Sequence, residues 1–406
     1  MPGTTGFAGL VCGVRDPPAP FDTADGARGE DTAASVDLLV RDCLGRRPLY
    51  VDRERPRRWA FEPTTLADPE LLPAGHALRL GDPVDEAEHV WSLPDPEPLP
   101  VEEALDRVET AVLSRTRAVA ASTAPGPKTA GSEPVTVASE PETVAADGVE
   151  TAVAFSGGVD SAVVAAGLPE APLYVAGFEG CHDVAAAREA AAAVGREGDL
   201  RIVEIDHEDL RRAVRAVTAA TGRTNPMDVS IAVPLFLVAE RAAADGYDRL
   251  AVGQGADELF GGYAKLVEPA SDDRVDATTV RGARREVVES LAEQLPRDVC
   301  TLRAAGVEPV APLLHDDVVA AALRLPGEAI ATPDERKVAL RRAADGFVPP
   351  AVRTADKKAV QYGTYVSREL DRLARRAGFK RRMDDHVGRY VRALAAGVDD
   401  PSPEEW

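Results

Sequence analysis

The ten residues "AVAFSGGVDS", Ala152 to Ser161, decide how the rest of this chain is read. An apolar run reads as a strand, a serine and two glycines make a polar turn, and a helix is expected to begin near Asp160. Gly157 and Gly158 let backbone N–H groups approach an oxyanion, the helix N-terminus adds the positive end of its dipole, and Ser156 and Ser161 offer hydroxyls. The combination is an anion cradle. No lysine follows the glycines as in the G-x-x-x-x-G-K-S/T nucleotide loop, and no G-x-G-x-x-G follows the strand. The bland alternative is a chance strand–turn–helix.

Downstream, short apolar runs alternate with Ala- and Arg-rich helical stretches: "PLYVAGF", "DVAAAREAAAAVG", then "RIVEI". Strands alternating with helices predict an α/β fold, a doubly wound parallel sheet covered on both faces, over a domain spanning 149–400 with a helical C-terminal part. Upstream, residues 1–95 are turn-rich with short apolar runs such as "RPLYV" and "HALRL", which predicts a small β-rich unit. Val101, Leu105, Val108, Val112 and Leu113 recur at helical spacing, so 96–118 is expected to be a connecting helix. Residues 119–148 are rich in Pro, Ser, Thr, Ala and Glu without period, the composition of a linker or insertion.

The chain has 406 residues, 45% hydrophobic, and a formal charge of -21. That charge repels phosphate backbones and anionic membrane surfaces, so non-specific nucleic-acid binding is not expected. Lysine is confined to six positions, Lys128, Lys265, Lys337, Lys357, Lys358 and Lys380, and an acidic, lysine-poor surface suits a cytoplasm of high salt. The four cysteines show no CxxC spacing and the six histidines no ligand cluster, so neither disulfide frame nor structural zinc is expected. The first residues lack the basic start of a signal peptide and no long apolar run follows, which points to the cytoplasm and away from membranes.

The S-G-G-x-D-S string resembles the pyrophosphate loop (PP-loop) of the adenine nucleotide α-hydrolase-like ATP pyrophosphatases. A second motif narrows the resemblance. "VGQGADELFGGY", after an apolar run about a hundred residues further on, resembles the "GEGADELFGGY" turn of asparagine synthetases and their amide-forming relatives. "GVEPVAPLLHDDVVAAALRLP" and "KVALRRAADGFVPPAVRTADKKAVQYGT" resemble later elements of the same family, so the likeness covers roughly 97–119 and 149–370. Val40 to Asp82 resembles the end of a class II glutamine amidotransferase domain, compressed here. That domain's N-terminal cysteine has no counterpart at Pro2; Thr5 or Cys12 would need proteolysis to become N-terminal, so glutaminase activity is not expected.

The resemblance implies ATP and Mg²⁺ as cofactors, with a carboxylic or amino acid and ammonia or another amine as substrates. Ser156, Gly157, Gly158, Val159, Asp160 and Ser161 would hold the nucleotide phosphates, with Phe178, Gly253 and Lys358 also on the nucleotide. Asp160 and Asp257 would hold magnesium, since a carboxylate beside phosphates makes sense with a cation between them. Lys357 would stabilise charge in the transition states, and two of six lysines at one spot of an arginine-using chain support an ammonium there. Gly255, Glu258, Asp298 and Glu308 would face the acid substrate; the alternatives are pairing with Arg297 for Asp298 and a buried ion pair for Glu308. A solvated turn at Asp257 and Glu258, or a surface pair at Lys357 and Lys358, is the bland reading.

Three departures stand out. Gln254 replaces a glutamate assigned to the ammonia step, and glutamine accepts no proton usefully at neutral pH. Val310 replaces an arginine, and His315 an aspartate. These features predict an amide synthetase of altered nucleophile handling, with a separate ammonia source or a homo-oligomer as its possible associations. The alternatives are a catalytically silent ATP-binding protein and a tRNA-modifying pyrophosphatase; the acidic surface opposes the latter.

Overall fold

The computed structural model describes residues 7–14, 36–121, 150–355 and 360–398. Lys357 and Lys358, residue Thr5 and most of the expected linker lie outside them. The chain divides into two units.

The described part of the first unit is 7–14, 36–95 and 289–296. Strands Ala8–Val14, Val36–Arg41, His76–Arg79 and Glu88–His89 form one antiparallel sheet, and Trp59–Ala60, Tyr50–Asp52 and Pro69–Leu71 form a second. Leu39, Leu49, Val51, Leu72 and Leu78 make their core. Arg41 is buried, donating from Nη1 to the Leu72 carbonyl at 2.7 Å and from Nη2 to that of Gly45 at 2.9 Å. Gly45 has φ +63, and a methyl there would fall on the Arg41 guanidinium. The "RDCLG" string is thus a buried arginine satisfied by loop carbonyls. Cys12 lies within the first strand.

In the second unit, β1 (Thr151–Ala154), β2 (Leu173–Gly177), β3 (Leu200–Glu204), β4 (Arg249–Ala251) and β5 (Glu308–Val310) form a fully parallel sheet of order β3-β2-β1-β4-β5. Successive side chains of a strand point to opposite faces. All five residues of β2 and all three of β4 are buried, so both faces are covered. The helices are α1 (Val101–Ala121), α2 (Val159–Gly167), α3 (His182–Ala193), α4 (His207–Thr221), α5 (Pro226–Ala244), α6 (Ala256–Phe260), α7 (Val338–Ala343), α8 (Val366–Arg376) and α9 (His386–Ala395), with shorter or intervening ones between.

Leu105, Val108 and Val112 form the buried stripe of α1, and Gly167 of α2 abuts Thr116 so closely that a methyl would overlap its backbone. Asp206 caps α4 by accepting from the backbone of Glu208 and Asp209, and Gly222 ends it in the left-handed region. Val214, Val229, Phe236, Leu370 and Tyr390 gather α4, α5, α8 and α9 into one core with Ala152 and Tyr174 of the sheet. The second unit is a PP-loop-type α/β domain with a helical C-terminal region, as the alternation of strands and helices predicts, and the first is a small β-unit. No helix among the described residues is long and apolar enough to cross a membrane.

Candidate active site

The strand order reverses between β1 and β4, which leaves a crevice at their carboxyl ends where open α/β sheets bind ligands. "SGGVDS" follows β1 and "VGQGADELFGGY" follows β4. Pairing of Arg249, Leu250 and Ala251 with Thr151, Ala152 and Val153 sets the two motifs side by side.

The first loop is closed by its own serines. Ser161 Oγ accepts from the Ser156 backbone N–H at 3.2 Å and donates to the Gly158 carbonyl at 3.1 Å, with Ser156 Oγ at 3.3 Å. Gly158 is the N-cap of α2 and, as a glycine, offers no capping side chain to the first turn of the helix. Gly157 has φ +79, and a methyl on it would meet the Ala186 carbonyl and the Ala187 nitrogen of α3. Glycine is required here twice over, for conformation and for space.

The second loop comes against the first at Gly253, where an added methyl would stand 3.1 Å from Asp160 Cβ. Gly255 and Gly261 bound α6 in the left-handed region at φ +85 and +80. Asp257 and Glu258 in its first turn then face different surroundings. Asp257 is half exposed, and Glu258 is buried with Tyr263 Oη donating to its Oε1 at 2.6 Å.

The expected pair Asp160 and Asp257 do converge, and they converge on Lys337. Its Nζ donates to Asp160 Oδ1 at 2.7 Å and Oδ2 at 2.6 Å, and lies 2.7 Å from Asp257 Oδ1. Burial disfavours the ammonium, yet the charges of Asp160 and Asp257 outweigh burial and raise its pKa above the ordinary lysine value. Lys337 adopts φ +58, unusual for a residue with a side chain, at the N-cap of α7. A bridge between Ala331 and Arg336 precedes it, and Arg336 donates to the Gly262 carbonyl at 2.9 Å. A methyl on Gly262 would overlap both the Asp257 carboxylate and Lys337 Cε, so the second glycine of the "GG" pair makes the meeting possible. Sequence reasoning passed over Lys337. The signal was there, because it is one of only six lysines, the argument applied to Lys357.

Asp298 pairs with Arg297 at 2.8 Å, and Arg297 also reaches Asp228 at 2.7 Å, which accepts in turn from Arg223 and Asn225. Asp298 still stands near enough to add to the effects acting on Glu258. Glu308 is in an ion pair with Arg303, at 2.8 and 2.9 Å, and as the first residue of β5 it is level with Thr151 at the amino ends of the strands. It lies away from the crevice. Phe178 follows β2 at the carboxyl edge, its N–H donating to the Thr364 carbonyl and its ring 5.9 Å from that of His207. Gln254 lies between the two loop glycines and is partly buried.

Burial, then the charge of Asp257, pushes Glu258 from the ordinary 4.5 up to about 7, against the opposing bond from Tyr263. A carboxyl raised in the fold binds its proton more tightly there than in the unfolded chain, so stability falls as pH rises between 4.5 and about 7. At about 1.4 kcal/mol per pKa unit the cost above pH 7 is about 3 kcal/mol. Glu258→Gln should therefore gain stability over the parent on going from about pH 5 to about pH 8 in magnesium-free buffer. Thermal denaturation at both pH values checks this, and a constant difference would show that Glu258 does not titrate in that window.

Two carboxylates held by one small cation are a donor set that suits Mg²⁺, which takes few protein oxygens and completes its shell from phosphates and water. No group of three or more His, Cys, Asp or Glu side chains that could hold a metal ion occurs among the described residues.

A parallel sheet of this order with an S-G-G-x-D-S loop at its reversal point defines a PP-loop protein. The family model for asparagine synthase matches residues 142–303 and 281–403, and the chain belongs to that family. It is 29% identical over 277 residues to a protein of Methanocaldococcus jannaschii named "Putative asparagine synthetase (glutamine-hydrolyzing) 1". The match takes in 59% of this chain and 51% of that protein, so the chain spans about half the length of this relative.

Proposed function

We propose that this protein is an ATP-dependent amide synthetase that forms AMP and pyrophosphate, with aspartate the default acid and ammonia or another amine the nucleophile. The observation that carries the proposal is the convergence of Asp160, Asp257 and Lys337 beside the glycine-serine loop. A carboxylate oxygen of the acid attacks the α-phosphorus, the bond to the β-phosphate breaks and pyrophosphate leaves. The amine nitrogen then attacks the activated carbonyl, AMP departs and the nitrogen loses a proton.

Backbone N–H groups of Gly157, Gly158 and Val159, with the hydroxyls of Ser156 and Ser161, bind the phosphates of the leaving pyrophosphate. Asp160 and Asp257 would hold magnesium, which when bound neutralises phosphate charge. Lys337 offers its ammonium to the same oxygens. Lys357 would stabilise the charge of both transition states, and Lys358, Gly253 and Phe178 would contact the nucleotide. Gly255, Glu258 and Asp298 would line the acid's side of the crevice; the Arg303 pair argues for a structural Glu308. We assign 1–95 as a truncated amidotransferase-like region, 96–118 as the connecting helix, 119–148 as a linker and 149–400 as the synthetase domain. Cys12 lies inside a strand, which supports a chain without its own glutaminase and a separate ammonia source. The acidic composition supports a cytoplasm of high salt.

Gln254 favours a second reading, an ATP-binding protein without turnover. Incubation in high salt with ATP, Mg²⁺ and a panel of acids, with and without ammonium, separates the two. Pyrophosphate release or ATP–pyrophosphate exchange with at least one acid is expected, and ATP binding with neither signal across the panel would establish the second reading.

A further inference from the structure

Resting on the proposal that ATP is the nucleotide used here, we propose that Lys337 is a resident cation that closes the Asp160–Asp257 pair to divalent metal until a triphosphate arrives. Metal and nucleotide then load as a unit.

Both carboxylates lie within 2.7 Å of the one ammonium, and Asp160 gives it both oxygens. A divalent ion entering alone must take those oxygens from Lys337 and then sit beside a displaced positive charge. A triphosphate removes both obstacles, because its oxygens accept the ammonium while the carboxylates turn to the metal. The arrangement is built into the backbone: Lys337 holds φ +58 behind the Ala331–Arg336 bridge, Arg336 is fastened to the Gly262 carbonyl, and Gly262 has no side chain where Asp257 and Lys337 meet. The four methylenes of the lysine let its ammonium exchange partners while that backbone stays in place.

The test is binding of Mn²⁺ to the full chain, read by electron paramagnetic resonance in high salt. It is run without nucleotide and with an ATP analogue carrying methylene between the α- and β-phosphorus. An Asp160→Asn/Asp257→Asn chain supplies the background of the acidic surface. The parent should bind Mn²⁺ about tenfold or more tightly with the analogue, and Mn²⁺ should tighten the analogue by the same factor. Lys337→Asn keeps a residue that tolerates the left-handed region and removes the charge. It should bind Mn²⁺ alone about tenfold better than the parent and lose most of the nucleotide dependence. Lys337→Arg should behave as the parent does.

A folded Lys337→Asn chain that binds Mn²⁺ no better than the parent overturns the proposal. If that variant does not fold, equal Mn²⁺ affinity of the parent with and without bound analogue overturns it. Failure of the analogue to bind at all overturns both this proposal and the synthetase reading. Because no acid, amine or turnover is involved, a chain that fails in pyrophosphate exchange yet couples Mn²⁺ to nucleotide keeps this inference and loses only the synthetase.

Discussion

Lys357→Ala should lower kcat by about 100- to 1000-fold while nucleotide affinity stays within a few-fold of the parent. The magnitude follows from the cost of removing one positioned donor of transition-state charge, about 3 to 4 kcal/mol in a site shielded from water. A residue that acts only as the reaction proceeds lowers kcat and kcat/KM together. Steady-state pyrophosphate release and equilibrium binding of the analogue on one preparation separate this from loss of binding. An unchanged kcat would remove Lys357 from the mechanism.

Gly157→Ala should destabilise the second unit by about 2 to 5 kcal/mol and abolish measurable nucleotide binding. The left-handed conformation costs a residue with a Cβ about 1 to 2 kcal/mol, and forcing a methyl into packed backbone adds about 1 to 3 kcal/mol. Gly157 bears both penalties, since φ is +79 and its methyl would meet Ala186 and Ala187. Gly222 is the internal control. Its φ of +68 is equally left-handed, but nothing lies within 4 Å of the added carbon, so Gly222→Ala should cost only the conformational share. Denaturant midpoints of the two variants give the comparison, and equal losses would show that contact with α3 contributes nothing.

Much of this was legible because the information was local. The alternation of apolar runs with Ala-rich helical stretches marks the strands of the second unit, and "SGGVDS" announces its turn through glycines needed at that spot. The meeting of Asp160 with Asp257 could be read because each acid follows its strand directly and adjacent parallel strands bring such positions together. Lys337 was not legible by the same route. It arrives from 177 residues beyond Asp160, on a turn whose left-handed position carries lysine instead of glycine, so no turn signature marked it. Gly262 looked like turn punctuation; its purpose is to leave room for a carboxylate and an ammonium, which only tertiary contact reveals. Glu308 shows the converse, a motif residue whose charge is answered by Arg303 five positions away.

The reversal of strand order between β1 and β4 also bears on how the protein comes into being. The halves of the crevice touch only after β1 has found β4 across two intervening strands and four helices, and Lys337 joins from further along still. Such pairing raises the contact order and delays assembly toward the end of folding. A ribosome-bound chain that has emerged only through α6 has both acids and no ammonium between them. Competence to bind nucleotide should therefore appear late and all at once during synthesis, which makes nucleotide binding a direct assay of completed folding.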